Sequence, residues 1–136
     1  MEKYESSQYQ IKRSAEQIWT ILSDFRNLTP MIPPDKVEDW QADENSCSFR
    51  VQGMSVRLYI VDKDPFSYIK LGGDENSPAQ FNLWIQLKEV EPYDTRMRLV
   101  LHVKLNMMMK MMLGSKISKG IDQMAEQIAK AFNGEL

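Results

Sequence analysis

One histidine, His102, and one cysteine, Cys47, are all that this 136-residue chain offers for imidazole and thiol chemistry. A single imidazole rules out any site that needs two from the same chain. A single thiol can form neither an internal disulfide nor a thiolate zinc cage. Nucleophilic triads require a base beside the Ser or Cys, and the pattern of the chain places neither Cys47 nor any serine next to His102. Acid–base catalysis in a cavity requires polar groups facing into it. The two carboxylates nearest a cavity mouth, Asp24 and Asp35, read as solvated helix-end and loop acids. The chain has no phosphate-cradling glycine loop and no metal-ligand spacing. The expectation is therefore no catalytic residue, no metal ligand and no cofactor.

The oddest segment is Met107-Met108-Met109-Lys110-Met111-Met112. Five flexible, polarizable side chains at the start of a helix suit a cavity mouth that adapts to lipophilic ligands. The competing reading, which we favour, packs the run against the Asn27–Asp35 loop as gap filler. A thioether copper site ranks third, because no histidine or cysteine supports it. Four lysines and no acid lie between Lys104 and Ile121. Such a run could touch an anionic membrane, but a solvated helix face is the favoured reading.

The elements that hold these residues follow from composition and periodicity. Hydrophobic residues at 43% and charged residues at 26% describe one ordinary globular domain spanning 1–136. Seventeen basic against nineteen acidic residues leave a net charge of -2 and no basic footprint for nucleic acid. The polar N-terminus MEKYESSQYQ carries no signal-peptide pattern, and Leu105–Leu113 falls far short of the ~20 residues of a spanning helix. With a lone thiol, these features predict a cytoplasmic protein.

Tyr4 to Lys12 reads as a first strand with Tyr9 and Ile11 on one face. Ser14 and Gln17 form a capping-box pattern, and Ile18, Ile21, Leu22 and Phe25 make 15–25 an amphipathic helix with Trp19 at its edge. Pro30, Pro33 and Pro34 limit the next stretch to a turn or loop. From Lys36 to Leu105 the period changes to two, giving six strands with short turns, an antiparallel meander. Gly53, Asp64-Pro65, Gly72 to Pro78 and Pro92 separate them. A last helix, 107–132, carries the stripe Leu113, Ile117, Ile121, Met124, Ile128 and Phe132 and stops at Asn133-Gly134.

The segments Tyr4-Glu5-Ser6 through Ile11, Ser14-Ala15-Glu16-Gln17-Ile18-Trp19 and Leu22-Ser23-Asp24-Phe25, together with the order of elements, resemble the START and birch-pollen-allergen superfamily (SRPBCC). Polyketide cyclase-like and coenzyme Q-binding proteins belong to it too. The resemblance covers the whole chain and implies an α+β helix-grip fold. There a curved seven-stranded antiparallel sheet wraps around the long C-terminal helix, with a ligand cavity between them. A one-sided apolar sheet must bury that face, and the last helix is the long amphipathic element available to cover it.

The inward phase of the strands collects Cys47, Phe49, Val51, Val56, Leu58, Ile60, Ile69, Leu71, Phe81, Leu83, Ile85, Leu99, Leu101 and Val103. Most of these must be core. The candidate ligand contacts are Phe49, Val51, Leu58, Ile60, Ile69, Phe81, Leu83, Leu99, Leu101, Met109, Leu113 and Ile117. The expected function is non-catalytic binding of a hydrophobic small molecule or lipid. A cyclase- or aromatase-type enzyme is the rival, and an interaction module with a filled core is the third reading. His102, Arg50, Arg57, Arg96 and Arg98 fall in the outward phase. Tyr68, Trp84 and Val100 join them as an outer apolar patch that would make a dimer contact, so the chain is expected to be a monomer or homodimer.

Overall fold

The computed structural model describes residues 1–51, 53–77 and 79–135. Two short strands, β1 (Glu2–Glu5) and β2 (Tyr9–Ile11), lead into helix α1 (Ala15–Leu22). Both arms of the capping box form. The Gln17 amide donates to the Ser14 hydroxyl at 3.1 Å, and the Ser14 amide donates to the Gln17 side chain at 3.2 Å. The helix ends three residues earlier than its apolar spacing predicts. Ser23 closes it by donating its hydroxyl to the Trp19 carbonyl at 2.6 Å. Asp24 then turns extended, and its side chain accepts from Arg26 N to start a 3-10 helix, Phe25–Met31. The proline-rich stretch is thus partly helical where a turn or loop was expected.

Six strands follow: β3 (Glu38–Ala42), β4 (Ser46–Val51), β5 (Met54–Asp64), β6 (Tyr68–Gly72), β7 (Phe81–Glu91) and β8 (Asp94–Val103). Helix α2 (Met107–Phe132) completes the chain, capped by the Asn106 side chain accepting from Met109 N at 2.8 Å. The sheet order is β1-β8-β7-β6-β5-β4-β3, with β2 also on β8, and every pairing is antiparallel. This is the α+β helix-grip architecture. It has eight strands rather than seven because the first strand breaks at Ser6–Gln8. Ser6 N donates to the Leu99 carbonyl and Leu99 N donates to the Ser6 hydroxyl, each at 2.9 Å, so a side chain takes over the ladder there. The two halves share one lane along β8.

The core sits under α1 and the C-terminal half of α2. Ile11, Ile18, Ile69, Met97 and Leu99 have no exposed surface. The buried face of α2 is Ile121, Ala125, Ala129 and Phe132, whereas Met124 lies 47% exposed. The apolar stripe therefore runs through Ala125 instead of Met124. Where α2 rests on β1, β2 and β8 the backbones approach closely enough that alanine fits.

Candidate functional site

Helix α2 is fastened to the paired lane β1–β2 by side chains that sequence spacing does not connect. Asp122 accepts from Ser7 N at 2.8 Å and from the Tyr9 hydroxyl at 2.7 Å. Asn133 accepts from Lys12 N at 2.8 Å and donates to the Gln10 carbonyl at 2.9 Å. The amide of Ser7 and the phenol of Tyr9 hold the Asp122 carboxyl below its ordinary value. Reciprocally, the hydrogen bond to Asp122 pushes the Tyr9 phenol up to about 12. Helix α1 closes the same end of the sheet. The Trp19 indole donates to the Tyr68 carbonyl at 3.0 Å, Ala15 N donates to Glu89 at 2.6 Å, and the Thr95 hydroxyl donates to the Arg13 carbonyl at 2.8 Å.

The N-terminal half of α2 is held less closely. Helix α2 packs on β1, β2, β8 and the 3-10 helix, and its contact with that helix is slight. On β4 and β5 Phe49, Leu58 and Ile60 pack against the core but are only partly buried, as are Leu101 on β8 and Ile117 on α2. Trp40 joins this rim, its ring 6.0 Å from that of Phe49 and its indole donating to the Thr29 hydroxyl at 3.0 Å. Together these residues extend the core onto β3–β5 as a partly buried apolar border.

The twelve sequence-derived candidates divide accordingly. Ile69, Leu83 and Leu99 are buried in the closed core. Phe49, Leu58, Ile60, Leu101 and Ile117 are partly buried against the core. Val51, Met109 and Leu113 are half-buried. Phe81 lies half-buried under the β6–β7 loop, where a Cβ on Gly73 would come within 2.6 Å of its ring. Trp40, on β3, is a rim residue that strand periodicity does not reveal. Its strand carries polar neighbours on both sides, which masks the apolar phase.

The remaining chemistry-bearing residues are spoken for structurally. Asp24 caps the 3-10 helix and pairs with Arg26 at 2.7 Å. Cys47 is buried, and burial pushes its thiol up to about 12. His102 lies on the outer face, edge-on to Trp84 at 4.7 Å. Among the described residues no buried side-chain polar atom lacks a hydrogen-bond partner, and no group of three or more His, Cys, Asp or Glu converges. Two sequence expectations fail. Met107, Met108, Met111 and Met112 are 66% to 82% exposed and fill no gap against the proline-rich stretch. The outer apolar patch is smaller than expected, reduced to the partly exposed Tyr68 and Trp84. Val100 is buried, and Trp84 is sandwiched between His102 and Lys70, whose Nζ lies 5.1 Å from the ring centre. No described helix is long and apolar enough to cross a membrane.

Among solved structures, a norcoclaurine synthase point mutant from Thalictrum flavum, in complex with a transition-state analogue, superposes with a TM-score of 0.75 at 14% identity. That match covers 96% of this chain and 93% of the other. The Aha1 dimer from Colwellia psychrerythraea gives 0.70 at 16% identity, covering 99% and 98%. A START superfamily protein from Mycobacterium smegmatis gives 0.68 at 18%, covering 97% and 94%. These likenesses establish the shared START-like fold. No curated protein matches the chain in sequence. The family model for CoxG, a component of carbon monoxide dehydrogenase, matches residues 8–136. Over residues 8–136, then, the chain belongs to the CoxG family, and it has the START-like fold.

Proposed function

We propose that this protein binds a hydrophobic small molecule or lipid, without transforming it, between the apolar side chains of β3–β5 and the N-terminal half of α2. The observation that carries this reading is that Phe49, Leu58, Ile60, Leu101 and Ile117 pack against the core yet are only partly buried. An apolar body seated there would gain roughly 25 cal/mol per Å² of surface withdrawn from water, before the costs of association. Val51, Met109 and Leu113 flank these side chains, while Ile69, Leu83 and Leu99 form the floor. The family description names one component of a dehydrogenase, which supports an accessory role for the chain beside an enzyme that does the chemistry.

Native mass spectrometry of the gently purified protein, referenced to the denatured mass, tests the reading. An adduct that leaves on denaturation is expected, and Ile117→Trp, which crowds the site, should abolish it. A chain that stays bare after incubation with a lipid extract, or an adduct indifferent to Ile117→Trp, overturns the proposal.

A further inference from the structure

The outer face of the sheet, among the described residues, carries a concavity. It has a volume of about 640 Å³ and opens over β6, β7 and β8. Its lining includes Tyr68, Trp84, Gln86, Lys88, Arg96 and Arg98 and no Asp or Glu. A groove with three cations and no acid is a local reversal in a chain whose net charge is -2. Two of the cations are already partnered. Arg96 pairs with Asp94 at 3.2 Å, and Arg98 donates to Gln86 at 3.0 Å with Glu5 at 3.6 Å. Lys88 has no carboxylate oxygen within 4.0 Å among the described residues, and it stands directly across from Arg96 in the β7–β8 register. Like charges directly opposite on an antiparallel pair are destabilising. Departures of this kind from local consistency concentrate at functional sites.

We propose that this groove docks an extended acidic segment of a protein partner. Its carboxylates would sit between Lys88, Arg96 and Arg98 and its chain would lie across Trp84 and Tyr68. Spacing supports an extended chain. From Ser67 beside β6 to Gln8 beside β8 the lining crosses three strands, roughly 15 Å at the usual inter-strand distance, which is the reach of four to five extended residues. The amide side chain of Gln8, at the exposed break between β1 and β2, can hydrogen-bond a peptide backbone. Trp84 and Tyr68 are held firmly enough to act as a platform. Lys70 and His102 pack on Trp84, and the Tyr68 hydroxyl donates to Asp62 at 2.7 Å.

Other occupants fit less well. A second copy related by a two-fold axis would bring this cationic patch against itself. A small free anion would remain largely hydrated in so open a groove, where salt screens it. The proposal is independent of what the apolar side chains of β3–β5 bind, because the two sites lie on opposite faces of one sheet.

The test is fluorescence anisotropy with a labelled peptide of four Glu-Tyr repeats at low ionic strength, alongside the same design built from Lys-Tyr repeats. Binding of the acidic peptide alone is expected. Lys88→Glu should weaken it by about tenfold or more. The same substitution should leave Tm unchanged or raised, since the new carboxylate faces Arg96. Loss of binding therefore cannot be attributed to loss of fold. Lys119→Glu makes the same charge change on the exposed side of α2, and should move the affinity by no more than about twofold. Absence of binding, or equal weakening by the two reversals, overturns the proposal. So does displacement of the peptide by millimolar benzoate or by a single-stranded oligonucleotide in a Lys88-dependent way, which would assign the groove to a small anion or to nucleic acid.

Discussion

Ile121 to Phe132 of α2 bury Ile121, Ala125, Ala129 and Phe132 against β1, β2 and β8, and two side-chain clamps, Asp122 and Asn133, tie this half to the sheet. Met107 to Gly120 belong to the same helix, yet every residue there keeps some solvent exposure. The side-chain ion pair in this half, Lys110 to Glu2 at 3.2 Å, is half-exposed and contributes little. Intrinsic propensity differs in the same sense. The first half contains Gly114 and Gly120, and the second contains Ala125, Ala129 and Ala131. A Cβ at position 114 would lie 3.2 Å from the Tyr4 hydroxyl, so that glycine also serves the close approach of helix and strand. One half of the helix is therefore the anchor of the grip, and the other, its jaw, is held less tightly. Local opening of the chain would therefore begin at the jaw rather than at the core.

Truncating one side chain on each side of that division sharpens the contrast most. Leu99→Ala at the closed end removes a fully buried side chain and should cost about 2–5 kcal/mol in denaturant unfolding. Ile117→Ala in the jaw loses a partly buried side chain, so its cost should be nearer ~1 kcal/mol. Equal costs would mean that the jaw is packed as tightly as the core and would remove the physical basis of the division.

The Asp122 clamp gives the next effect, read through pH. Because folding lowers the Asp122 carboxyl, its contribution is present above the ordinary carboxylate value and is lost as pH falls through the lowered one. Because folding raises the Tyr9 phenol from 10.0 to about 12, that contribution is present below 10.0 and is lost as pH rises toward about 12. Asp122→Ala should therefore lower Tm at pH 7. The deficit relative to the unsubstituted chain should shrink on acidification. A deficit that persists undiminished below the carboxylate range would show that Asp122 does not act as a charged clamp.

The order of elements and the helix-grip fold were legible because they rest on local signals: the capping box at Ser14, the period-two runs from β4 to β8, and the proline and glycine punctuation. What could not be read depends on contacts between distant residues. The break at Ser6–Gln8 exists because a serine hydroxyl meets the Leu99 amide, and nothing near Ser6 announces Leu99. Met124 outranks Ala125 on any hydropathy pattern. It loses its place in the core to the close approach of helix and sheet, which only the packed structure reveals. Val100 falls in the outward phase yet is buried, because register sets it between Glu5 and Trp84 on the flanking strands. The bulge between Ile60 and Asp62 shifts the phase of β5, turning Lys63 toward Trp19, its Nζ 5.3 Å from the ring. Candidate contacts spaced by strict alternation therefore hold up to Ile60 and cannot be extended past it.

The smallest expected effect concerns Cys47, which lies on β4 within the jaw's half of the sheet and is buried there with its thiol raised from 9.0 to about 12. Desolvation is the cause, so the thiolate needed for attack on a disulfide reagent is almost absent in the closed form at pH 8. Labelling then requires an opening that exposes the sulfur. If β3–β5 open locally when the N-terminal half of α2 moves, Cys47 should react slowly but faster than global unfolding allows, and Leu58→Trp should retard it by filling the surface beside its register partner. The expected sign on stability is a loss as pH rises from 9.0 toward about 12, where the unfolded chain ionises the thiol and the folded chain does not. A labelling rate equal to the unfolding rate would place Cys47 in the same cooperative unit as Leu99. The two ends of the grip would then be one rigid body, and ligand entry would have to occur through rotamer changes of Phe49 and Ile117 alone.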